Sequence, residues 1–96
     1  MIRHVALFTW NPDVSDETIG AIKAGLDRLA TLDCVAAYTH GPDAGIREGN
    51  YDYAVVGDFE TVEEYQEYSA EDGHQQLIQD LIVPNISGRA GIQIQL

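Results

Sequence analysis

Residues Ile2 to Trp10 alternate between two faces, with Ile2, His4, Ala6, Phe8 and Trp10 on one and Arg3, Val5, Leu7 and Thr9 on the other. A period of two predicts a β-strand, and largely apolar residues on both faces predict that it is covered twice. Asn11-Pro12-Asp13 ends the run. Asp13 or Ser15 then stands where a helix cap is needed, and Asp16-Glu17 suits the positive end of the helix dipole. Ile19, Ile22, Leu26 and Leu29 recur at three- and four-residue spacing, so this helix has a single core stripe.

Val35 to His40 reads as a second strand, followed by the loop Gly41-Pro42-Asp43-Ala44-Gly45. Tyr51 to Phe59 reads as a third, with Tyr53, Val55 and Phe59 on one face and Ala54 and Val56 on the other. Thr61 followed by Glu64 is a capping-box signature for a second helix. That helix breaks near Asp72-Gly73 and resumes through Leu77, Ile78, Leu81 and Ile82 until Pro84. Ile86 to Leu96 closes the chain as a strand in which Ile92, Ile94 and Leu96 alternate with Gln93 and Gln95.

The order β-α-β-β-α-β predicts an α+β, ferredoxin-like domain spanning residues 1–96, with a four-stranded antiparallel sheet and helices on one face. Two helices cover one face only, while the first and third strands are apolar on both. The same face of a second copy is the simplest cover, so a homodimer is expected.

Composition narrows the partners. A formal net charge of -11, with Arg3, Lys23, Arg28, Arg47 and Arg89 scattered along the chain, argues against nucleic acid, which requires clustered cations. No signal peptide or membrane span is visible, so a soluble, cytoplasmic protein is expected. The single cysteine, Cys34, excludes an intrachain disulfide and reads as a small buried residue. Glu60, Glu64, Glu67 and Glu71 recur at helical spacing, but one stripe on one helix reads as a solvated face, and no metal site is expected. No nucleophilic triad or phosphate-binding loop is present. The candidate chemistry lies in polar residues on apolar elements: His4 in the first strand, and Tyr68 and His74 bracketing Ser69-Ala70-Glu71-Asp72-Gly73. His40, beside a Gly-Pro loop, is expected to be solvated.

The opening Met1-Ile2-Arg3-His4-Val5-Ala6-Leu7-Phe8 is one of four motifs that together resemble a known family. The others are Gly49-Asn50-Tyr51-Asp52-Tyr53, Asp58-Phe59-Glu60, and Tyr65-Gln66-Glu67-Tyr68 with His74 downstream. In order and spacing they resemble the stress-responsive dimeric α/β-barrel (Dabb) domain over essentially the whole chain. The resemblance implies a ferredoxin-like fold that dimerises through its sheets into a dimeric α/β barrel, with a pocket between sheet and helices. A plant polyketide cyclase of this family closes a linear tetraketide by aldol condensation without a cofactor. Its catalytic Tyr and His fall on Tyr68 and His74, and a pocket His falls on His4. Tyr53 stands where that enzyme has another His. Where many members carry His-Pro-x-His, this chain has Glu71-Asp72-Gly73-His74.

On that reading Tyr68 and His74 are the catalytic pair, and His4, Ala6, Phe8 and Tyr53 contact the substrate. A neutral His74 would accept an acidic α-proton and Tyr68 would donate to the oxygen that gains charge. The implied ligand is a small, mostly apolar organic molecule, and no cofactor is expected. Two alternatives stay open: a non-catalytic, stress-associated binding or interaction module, and a cofactor-free monooxygenase-like enzyme.

Overall fold

The computed structural model describes residues 1–96. Strand β1 is Ile2–Trp10, helix α1 Asp16–Leu29, strand β2 Ala37–Pro42, strand β3 Tyr53–Phe59, helix α2 Val62–Ala70, helix α3 Asp72–Leu77 and strand β4 Ile86–Gln95. A π-helical turn, Ile78–Ile82, and a 3-10 turn, Val83–Asn85, link α3 to β4. The side chain of Ser15 caps α1 by accepting from the Thr18 amide, and that of Thr61 caps α2 by accepting from the Glu64 amide. No helix is long and apolar enough to cross a membrane.

The strands form one antiparallel sheet in the order β2-β3-β1-β4. Several boundaries differ from the sequence reading, and β2 begins at Ala37 rather than Val35 and β3 at Tyr53 rather than Tyr51. Strand β2 runs through Gly41 and Pro42, which the composition assigned to a loop. As an edge strand it tolerates proline, because no ladder needs an amide on its outer side. The last helical segment also passes Pro84, which sits at the start of the 3-10 turn, where its missing N–H leaves no bond unmade.

The helix-facing side of the sheet holds the core. Ile22, Leu26 and Leu29 of α1 meet Tyr53, Val55 and Phe59 of β3, with Tyr68, Leu77 and Ile82 closing the other end. Helices α1 and α3 approach closely at Gly25, where a Cβ would lie 2.6 Å from a Leu77 methyl.

The opposite side of the sheet carries an apolar strip. In register, Val5 lies between Val56 and Ile92, and Leu7 between Ala54 and Ala90. Ile92 is 58% exposed and Ile94 43%, so hydrocarbon that the alternation placed on this side stays open to water. One end of the strip is closed by a two-pronged ion pair, Arg3 Nε to Asp58 Oδ1 at 2.8 Å and Arg3 Nη2 to Asp58 Oδ2 at 2.9 Å. That pairing holds the Asp58 carboxyl below its ordinary range.

Candidate functional site

The junction between α2 and α3 brings the two candidate catalytic residues together. Five residues intervene between Tyr68 and His74, too many for them to face each other on one straight helix. Glu71 resolves this by serving both helices. Its backbone is extended (φ -60°, ψ 135°), which stops α2, and its side-chain Oε1 accepts from the His74 amide at 2.7 Å, which starts α3. Arg28 of α1 donates to the same oxygen at 3.0 Å and fastens the turn to the rest of the domain. The Arg28 guanidinium lies where a Cβ on Gly73 would be, 1.9 Å from the ideal position. Glu71 and Gly73 thus build the bend without a His-Pro segment, and the Tyr68 and His74 ring centroids lie 4.5 Å apart.

Hydrogen bonding decides which atoms are free. His74 Nδ1 lies 3.0 Å from the Ser69 carbonyl oxygen; a carbonyl only accepts, so Nδ1 carries a proton and Nε2 holds the lone pair of the neutral ring. His4 Nδ1 lies 3.0 Å from the Gln93 amide nitrogen, which donates to it. The Tyr68 hydroxyl is 2.6 Å from that of Tyr38. Around them pack Tyr65, with its ring centroid 5.2 Å from that of His4, and Phe59, 4.9 Å from Tyr68.

Burial sets the protonation states. It lowers the pKa of His74 below the ordinary imidazole value, against the opposing pull of the Ser69 carbonyl and Glu71. It does the same to His4, where the neighbouring His74 charge adds to the effect. Both rings are therefore neutral at pH 7. In the unfolded chain they would titrate near 6.5, so the folded state binds fewer protons just below that pH. Their contribution to stability is present above pH 6.5 and is lost as the pH falls toward the folded-state values. Burial pushes Tyr38 up to about 12 and Tyr68 further still, so both phenols keep their protons.

His4, Ala6 and Phe8 of β1 line a cavity of about 490 Å³ with Tyr68 and His74, as their shared face predicts. The cavity lies over β1 and β4, closed by Tyr65 and Ser69 of α2 and by Leu77 and Ile78 at the end of α3. Tyr53 is not among its walls, so the structure does not bring it together with the other expected contacts. It shares their side of the sheet but lies in another column. At the start of β3 it packs beside Trp10, ring centroids 5.6 Å apart, and its hydroxyl turns to His40 at 2.6 Å.

His40 is likewise not solvated. Its side chain is 12% exposed, and Nε2 donates to Asp27 Oδ1 of α1 at 2.6 Å. The chain Asp27-His40-Tyr53 ties α1 to both strands and satisfies a phenol that is 2% exposed. Replacing His40 with alanine strands that hydroxyl. Thermal unfolding should show a loss of about 1–3 kcal/mol, partly restored in the His40→Ala, Tyr53→Phe double variant. An unchanged Tm would remove the bridge as a stabilising element.

Three cavity or support residues were not singled out from sequence: Tyr38, Gln93 and Arg89. Tyr38 shares the parity of His40, a usable signal for its face, but its contact with Tyr68 joins elements 30 residues apart and has no local signature. Cys34 is 6% exposed, and burial together with Glu67 pushes its thiol up, the reverse of what a reactive thiolate needs. No group of three His, Cys, Asp or Glu side chains converges as a metal site would require.

An antiparallel β2-β3-β1-β4 sheet with helices on one face, enclosing an apolar cavity with two imidazoles and two phenols in its wall, defines a ferredoxin-like α+β protein with a sheet-helix pocket. The chain belongs to the stress-responsive A/B barrel (Dabb) family: the model described as Stress responsive A/B Barrel Domain matches residues 2–94. Among solved structures, it is similar to a dimeric ferredoxin-like protein of unknown function from Thermobifida fusca YX. The two are 32% identical, with 99% of this chain and 90% of the other covered and a TM-score of 0.90. A Dabb family protein from Mesorhizobium loti is 17% identical, with 99% and 95% covered and a TM-score of 0.83. The hydroxynitrile lyase of Passiflora edulis, 15% identical over 99% and 92% with a TM-score of 0.87, shares the fold. No curated protein matches the sequence.

Proposed function

We propose that this protein is a homodimer that binds a small, mostly apolar organic molecule in the cavity between sheet and helices. There it closes a ring by cofactor-free, aldol-type chemistry. The observation that carries the reading is the approach of Tyr68 and His74, 4.5 Å between ring centroids, in the wall of a cavity large enough for such a molecule.

The chemistry follows from the free atoms. Neutral His74 takes a proton at Nε2 from the carbon between two carbonyl groups. Tyr68, accepting from Tyr38, is left with its own proton to donate to the carbonyl oxygen that becomes the enolate oxygen. The enolate carbon bonds to a second carbonyl carbon of the same molecule. Electrons of that C=O move onto its oxygen, which takes the proton back from the imidazolium. The product is a cyclic hydroxyketone isomeric with the substrate, so neither oxidant nor cofactor enters the balance.

The homodimer rests on the apolar strip of Val5, Leu7, Ala54, Val56, Ile92 and Ile94, which the helices on the other side cannot cover. The dimeric state of the 32% identical Thermobifida protein supports it.

The test is incubation with a synthetic linear tri-β-keto acyl thioester. The expected result is a product of unchanged mass and altered retention that forms faster than in buffer. Oxygen uptake with a changed mass would favour the monooxygenase alternative. A second reading follows from the 2.6 Å bond between Tyr38 and Tyr68. If Tyr68 is the donor, no proton is left for a ligand carbonyl, and the pocket serves a module that binds without altering. Saturable binding with no product would select that reading.

A further inference from the structure

The cavity has an electrostatic character opposite to that of the chain around it. The protein carries 16 Asp and Glu residues, yet none is among the 16 residues lining the cavity. One lining residue, Arg89, carries a permanent charge. The other arginines that meet carboxylates are spoken for, Arg3 by Asp58 and Arg28 by Glu71, whereas no carboxylate lies within ion-pair distance of Arg89.

The register of β4 places this charge at a definite end. Arg89 lies opposite Phe8, Gly91 opposite Ala6 and Gln93 opposite His4, so successive cavity-facing positions run from a guanidinium, past two small residues, to the imidazole end. An added Cβ at Gly91 meets nothing closer than 3.7 Å, so no neighbour enforces the missing side chain, whose absence leaves floor space in the cavity. Four steps along extended strand lead from Arg89 to Gln93, a span of roughly 13 Å. A guanidinium fork at one end of an apolar channel, without an internal carboxylate, matches a carboxylate on the ligand.

We infer that Arg89 anchors the carboxylate of an elongated apolar acid, with the reacting part of the ligand lying toward His4, Tyr68 and His74. This refines the substrate class of the site proposed above, for which the acyl thioester is a probe that lacks the acid head, and rests on that site being a ligand pocket. It also sets direction: the acid head sits at the Phe8 end and the proton-moving groups meet the ligand about 13 Å away along the strand. In a chain of net charge -11, a single cation at the rim of a carboxylate-free cavity also disfavours amines that the acidic exterior would gather.

The experiment is calorimetric titration of three matched probes, 5-phenylpentanoate, its methyl ester and 5-phenylpentan-1-ol. They are titrated into the wild-type protein and into Arg89→Gln and Arg89→Lys. The acid should bind the wild type about 10–100-fold more tightly than the ester. Arg89→Gln should erase that preference while holding the ester affinity, and Arg89→Lys should keep part of it. Arg89 is exposed and makes no internal bond, and matching Tm values establish that the variants fold. Equal binding of acid and ester to the wild type, or a preference that survives Arg89→Gln, overturns the anchor and leaves the apolar pocket standing. Failure of all three probes to bind overturns both anchor and pocket. Full turnover by Tyr68→Phe and His74→Ala with the acid preference intact overturns only the catalytic reading.

Discussion

Under the proposed chemistry, His74→Ala should lose about 10²–10⁴-fold in kcat/KM for ring closure, the range expected when a positioned general base is removed. The imidazole keeps a free lone pair on Nε2 at neutral pH, because Nδ1 is committed to the Ser69 carbonyl and burial keeps the ring unprotonated. The pH profile of the wild type supplies the companion readout. A base works when deprotonated, and burial lowers its pKa, so kcat/KM should rise with pH along a limb centred below 6.5 and stay flat through neutrality. Tyr68→Phe should cost roughly 10²–10³-fold, as for loss of one oxyanion donor. That variant also leaves the Tyr38 hydroxyl without its partner, so its Tm must be compared with that of Tyr38→Phe, which removes the support and keeps the donor. Steady-state kinetics on the synthetic thioester decide the matter. Rates for His74→Ala and Tyr68→Phe that equal the wild type would end the assignment of both residues.

Val56→Asp is expected to convert the proposed homodimer to a monomer. Val56 lies between Val5 and Thr39 on the face that carries the strip, so a copy packed there would bury the new carboxylate with no cation to pair it. An unpaired charge taken out of water costs several kcal/mol, enough to weaken association by at least about 100-fold. Two such charges, one from each copy, would also repel within an assembly whose subunits already carry -11 each. Sedimentation should give a species near 10.6 kDa for the variant and near twice that for the wild type. Lys23→Gln, on α1 and away from the strip, should remain dimeric. A monomeric wild type at micromolar concentration, or a Val56→Asp dimer of unchanged affinity, would remove this face as the interface.

Much of the fold was legible because its rules are local. Alternation along Ile2–Trp10 gives the strand and both faces, the Ser15 and Thr61 caps start the helices where they begin, and the break at Asp72-Gly73 appears as a second helix start. Errors fell where an end depends on neighbours. Pro42 stays in β2 because β2 is an edge, and strand order along the sheet is a property of the whole chain.

The candidate site divides in the same way. Parity put His4, Ala6 and Phe8 on the cavity side, and the family resemblance brought Tyr68 and His74 forward. Parity also put Tyr53 on the helix-facing side, but gave no means of telling that its column lies under α1, where His40 and Asp27 claim its hydroxyl. The sequence by itself determined the elements, the two apolar sheet faces and the residue types able to move a proton, all set by spacing within one segment. Only the tertiary structure decided that Glu71 folds His74 back onto Tyr68, that Tyr38 holds the phenol, and that Arg89 stands unpaired in a carboxylate-free cavity. Those are meetings between segments far apart in the chain. Packing of the helices on the sheet selects them, and no periodicity within a segment encodes them.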